Sequence, residues 1–141
     1  MQTSFLGKLG AWIFMIVGLG HLYFQLFKTA ADSSAASQLQ QIEVQLPGAQ
    51  RSMLQLNSGF SLAMGYLLIG YGVLNLLILR ALGNEPARLR AIWRFNSAVS
   101  LGLAVLSLRY FFIFPSSSFT ITTVLYALAS RQTQPQHPSQ A

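Results

Sequence analysis

The chain contains no cysteine. That excludes disulfides and thiolate-ligated metal sites. It also has little charge: 9% of its 141 residues are charged, against 52% hydrophobic. A soluble globular domain carries about 25% charged residues. Too little charge remains to solvate a globular surface, so most of the surface must face something other than water. Acids are the scarcest of all. Asp32, Glu43 and Glu85 oppose nine Lys and Arg, for a net charge of +6. All three acids fall between the apolar runs. A carboxylate-driven proton or sodium relay inside a membrane is thereby excluded, and no paired carboxylates exist for acid–base catalysis. No phosphate-binding loop, zinc motif or catalytic triad is present. The basic excess sits beside apolar runs, where membrane topology and anionic lipid explain it better than nucleic acid.

What is present is long stretches without charge. Residues 9–27, 52–79, 95–108 and 110–130 contain no Asp, Glu, Lys or Arg. A helix needs about 20 apolar residues to cross a hydrocarbon core of about 30 Å. The pattern predicts an all-α, four-helix transmembrane bundle over residues 1–131, with helices near 6–28, 51–80, 89–113 and 117–131. The third requires Arg109 to extend to the far interface. The fourth, taken to begin after Pro115 and the serines 116–118, is slightly short. The first run is longer than the roughly 7–15 apolar residues of a signal peptide. Thr29, Ala30 and Ala31 behind it leave cleavage as the alternative.

Basic residues set the orientation. With both termini cytoplasmic, Lys8, Arg80, Arg88, Arg90, Arg94 and Arg131 lie inside, and Lys28, Arg51 and Arg109 outside. In the outer loop, 29–50, Leu39, Ile42 and Leu46 fit a short interfacial helix ended by Pro47-Gly48, while Ile42, Val44 and Leu46 equally fit a strand. The tail 132–141, containing His137, reads as disordered.

At 100° per residue each helix has one polar line. Asn57 and Asn75 align in the second helix, with Ser61, Gly65, Leu68 and Gly72 near them. His21 and Gln25 align in the first, Asn96, Ser100 and Ser107 in the third, Ser118, Thr122 and Tyr126 in the fourth. A neutral polar group is costly in hydrocarbon without a partner, so these lines should meet inside. His21, Gln25, Asn57, Ser61, Asn75 and Asn96 are the candidate binding residues. The plain reading of His21 is an imidazole bonded to Asn57 or Gln25 as helix glue. The functional readings are a ligand pocket and a haem ligand, the latter needing Met64 or a second copy. Gly59, Ala63 and Gly70 form a separate small strip, suited to close helix contact in an oligomer or larger complex. Arg88, Arg90, Arg94 and Arg109 are candidates for lipid headgroups. No catalytic or metal-ligating set is predicted, and no cofactor beyond the haem alternative.

The segments GLGH in the first helix and GFSLAMGYLLIGYGVLNL in the second resemble a group of small uncharacterised bacterial four-helix membrane proteins. In size and topology the chain is also similar to membrane proteins of the DoxX type. The resemblance implies a four-helix inner-membrane protein and supplies no activity. The leading expectation is a non-enzymatic accessory or scaffold subunit, or a bundle that binds lipid or a small molecule. The alternatives are a quinone- or haem-associated oxidoreductase component using His21, and a small transporter with a watered cavity beside Ser61, Leu68 and Gly72.

Overall fold

The computed structural model describes residues 2–27, 34–83, 85–111 and 113–132. The chain runs α1 (Gln2–Phe27), α2 (Ser34–Gln41), β1 (Glu43–Leu46), β2 (Ala49–Ser52), α3 (Met53–Ala81), α4 (Pro86–Tyr110) and α5 (Ile113–Gln132). The fold is all-α apart from one small hairpin. Four of the helices, α1, α3, α4 and α5, are long and apolar enough to cross a membrane. Lys28 and the tail 133–141, His137 included, lie outside the described residues.

Several boundaries differ from the sequence reading: α1 begins at Gln2 rather than 6, and α4 runs Pro86–Tyr110 rather than 89–113. The expected fourth helix begins at Ile113, not 117. Pro115 falls in its first turn, where the missing N–H has no helical partner to lose. The following hydroxyls bond back along the helix. Ser117 and Ser118 donate to the Phe114 carbonyl at 2.9 Å, and Thr120 and Thr122 to the carbonyls of Ser116 and Ser118 at 2.8 Å. Hydroxyls bonded to their own helix are compatible with continuing it. The resulting 20 residues span about 30 Å at ~1.5 Å each, which removes the shortfall.

The loop before α3 also differs. The helix predicted to run to Pro47 stops at Gln41, and residues 43–52 form an antiparallel hairpin pairing Val44 with Arg51. Pro47 and Gly48 occupy its turn. Gly48 has φ +80°, and Pro followed by a positive-φ Gly is the type II pattern. The strand alternation of Ile42, Val44 and Leu46 therefore wins over the helical one. The Met53 amide donates to the Ile42 carbonyl at 2.8 Å. Ser52 then switches strand to helix through a capping box with Gln55.

Packing follows the small residues. α1 lies antiparallel along α3, α4 along α5, and α1 also packs on α5. Along the α1–α3 seam Gly18 faces Gly65. A Cβ on Gly72 would meet the Ala11 carbonyl oxygen at 2.6 Å, so the two backbones touch. On the α5 side Gly10 receives the ring of Tyr126, and Gly7 receives that of Trp93 from α4. Trp93 and Tyr126 stack, their centroids 5.4 Å apart. Phe14 meets Tyr71 edge-on at 4.9 Å. These rings form the core. α3 and α4 are joined by longer polar side chains.

Candidate functional site

The polar side chains gather at two levels of the bundle. One is near the end where α1 begins. There the Tyr71 hydroxyl donates to Asn96 Oδ1 at 2.6 Å, and Asn96 Nδ2 donates to Asn75 Oδ1. Asn75 Nδ2 returns to the Tyr71 carbonyl at 2.9 Å. Both asparagines are buried. Ser100 donates to the Asn96 carbonyl at 2.8 Å. Each amide has partners within the group, so it acts as a clasp between α3 and α4. Close by, the Tyr126 hydroxyl and Trp93 Nε1 are buried without a hydrogen-bond partner among the described residues.

The second level is toward the hairpin end. The glycine contact of Gly18 with Gly65 fixes the antiparallel register of α1 and α3. That register places His21 opposite Ser61 and Gln25 opposite Ser58. His21 Nδ1 lies 3.3 Å from Ser61 Oγ, and Gln25 Nε2 donates to Ser58 Oγ at 2.8 Å. The predicted His21 partners, Asn57 and Gln25, are thus replaced by a serine. Asn57 sits one turn nearer the hairpin and is exposed.

These residues border a cleft of about 660 Å³. One wall is α1 and α3: Val17, Gly20, His21, Phe24, Asn57, Phe60, Ser61 and Met64. The other is Phe111, Phe114 and Pro115. The Phe111 ring is 6.4 Å from His21 and perpendicular to it, so the end of α4 comes against α1 at the cleft. Phe24, Phe60, Phe111 and Phe114 are all more than half exposed, so the cleft opens sideways. Among the described residues no charged side chain lines it. Its polar groups, His21, Ser61 and Asn57, all belong to the α1–α3 wall, and the facing wall is entirely apolar.

Of the candidates, His21, Asn57 and Ser61 meet at the cleft, Gln25 braces the seam beside it, and Asn75 and Asn96 form the separate clasp. Gly59, Ala63 and Gly70 are exposed, and a Cβ on either glycine would meet nothing within 4 Å. Arg88 pairs with Glu85 at 2.9 Å. Arg90 is half-buried, and Arg94 and Arg109 are exposed. Among the described residues no three His, Asp or Glu side chains group as a metal site. Sequence reasoning missed Ser58, Gly20, Phe114 and Pro115 as parts of this region. The register of α1 against α3 would have supplied Ser58, but helical periodicity treats one helix at a time.

Comparison with known protein families, with curated proteins and with solved structures finds no match.

Proposed function

We propose that the chain is a non-enzymatic binding bundle of a bacterial inner membrane, with four transmembrane helices and both termini cytoplasmic. It takes a neutral, largely hydrophobic small molecule or lipid from the bilayer into the cleft near its outer end. The orientation is supported by the grouping of Lys8, Arg80, Arg88, Arg90, Arg94 and Arg131 toward one end of the bundle, as the positive-inside tendency requires.

The observation that carries the reading is the cleft itself. Its volume of about 660 Å³ lies within the ~300–1,000 Å³ of ordinary ligand sites. An apolar lining with a few convergent polar groups is the usual composition of such a site. A charged ligand would find no counter-charge among the described lining residues. The lateral opening suits a molecule that arrives dissolved in lipid.

Gly20 supplies the test. It lines the cleft, and a Cβ added to it meets nothing within 4 Å. Gly20→Phe should fill the space without disturbing the helix seams. Purified in mild detergent, the parent chain is expected to carry a neutral molecule extractable into organic solvent, and Gly20→Phe to lose it at unchanged helical content. Equal amounts in both would sink the proposal. A Soret band in the same preparation, lost in His21→Ala, would instead favour the haem reading, in which His21 and Met64 line one cleft.

A further inference from the structure

We infer that the cleft selects a flat, neutral ring bearing oxygens on opposite edges and an apolar tail, a para-quinone type of head; this rests on the binding-bundle reading above. The spacing of the polar groups is the first argument. Asn57 and Ser61 are four residues apart on one face of α3, about 6 Å along the axis at ~1.5 Å per residue. His21 is level with Ser61, bonded to it through Nδ1. When Ser61 donates to Nδ1, Nε2 carries the ring proton, and that nitrogen is the donor left for a ligand. In that tautomer the cleft wall offers two donors, His21 Nε2–H and Asn57 Nδ2–H, from residues at levels about one helical turn apart. A flat head with an oxygen on each of two edges presents one acceptor to each.

The walls are the second argument. Phe24, Phe60, Phe111 and Phe114 surround those donors. Aromatic side chains favour offset or edge contacts with another ring. They give no comparable preference for a flexible glycerol ester, whose oxygens could otherwise span the same donors. The described residues put no cation in the lining, which disfavours fatty acids and phospholipid phosphates. No redox step is part of the inference, which concerns recognition alone.

The test compares three probes with equal tails on the full chain in nanodiscs of neutral lipid: a decyl-tailed para-quinone, decanol and decanoate. The quinone should be retained most tightly. Asn57→Leu should weaken it roughly 2- to 12-fold, the loss of one hydrogen bond, and weaken decanol less, since its single hydroxyl can use His21 instead. Asn57 is exposed, so this variant keeps its fold. Gly20→Phe should abolish retention of both. Equal retention of quinone and decanol, or no effect of Asn57→Leu, overturns the ring assignment and leaves the broader reading standing. Retention of no probe above empty nanodiscs, with nothing co-purifying, overturns both.

Discussion

A Cβ on Gly18 would stand 2.6 Å from the carbonyl oxygen of Gly65, and one on Gly65 would stand 2.9 Å from the carbonyl oxygen of Gly18. The obstruction in each case is backbone, which cannot swing aside. Gly18→Ala should therefore separate α1 from α3 and destabilise by about 1–3 kcal/mol, the usual range for overpacking. Gly20→Ala, two residues away and facing open space, should stabilise by about 0.5–1 kcal/mol through helix propensity. Opposite shifts in a denaturing detergent titration check the pair. Shifts of the same sign would disprove the seam.

Two tyrosine hydroxyls at the same end of the bundle should behave in opposite ways. The Tyr71 hydroxyl donates to Asn96, whereas that of Tyr126 is buried without a partner among the described residues. Tyr71→Phe should lose about 0.6–1.7 kcal/mol, the range of interhelical hydrogen bonds in membranes. Tyr126→Phe removes an unsatisfied polar atom and should raise stability by roughly 1 kcal/mol. A double-mutant cycle of Tyr71→Phe with Asn96→Ala should give a coupling energy of comparable size to the first figure. No coupling would mean that the clasp is not formed.

Trp93 reports on its own packing. It is fully buried, and Trp12 is 51% exposed, so a Trp12→Phe background isolates its fluorescence. A Cβ on Gly7 would come within 2.6 Å of the Trp93 ring. Gly7→Ala in that background should displace the indole and shift its emission. An unchanged spectrum would place Trp93 elsewhere.

The open strip tests assembly. A Cβ on Gly59 or Gly70 would meet nothing within 4 Å among the described residues, so Gly59→Leu with Gly70→Leu should preserve the monomer fold. If this strip is the contact face of an oligomer, as proposed from its small residues, the mass in nanodiscs should fall. An unchanged mass removes the strip from consideration.

The charge-free runs located the four helices long and apolar enough to cross a membrane, because hydrophobic length is written directly in composition. Periodicity then aligned Asn75 and Asn96 with the interior, since a polar line on one helix needs no neighbour to be visible. Other features depend on relations between segments. Residues 42–46 satisfy both helical and strand patterns, and only the turn at Pro47-Gly48 decides between them. Pro115 suggested that a helix must begin later, yet a first-turn proline is tolerated and the serines behind it fold back onto the helix. The cleft was the least legible feature. Its walls come from α1 and α3 on one side and residues 111–115 on the other, and no single-helix pattern encodes that juxtaposition.

The back-bonded hydroxyls of α5 have one more consequence. Thr120, Thr122 and Thr123 donate to carbonyls of their own helix. Those hydroxyls do little to specify the rotation of α5 about its axis. It is set by the Thr123 carbonyl, which accepts from Ser97 of α4 at 3.2 Å, and by shape: Phe119 and Tyr126 seated against Phe14 and Gly10. In evolutionary terms α5 is free to exchange threonine for valine along its length, but the ring-on-glycine fit that keeps it in phase, and with it the wall of the cleft, is not.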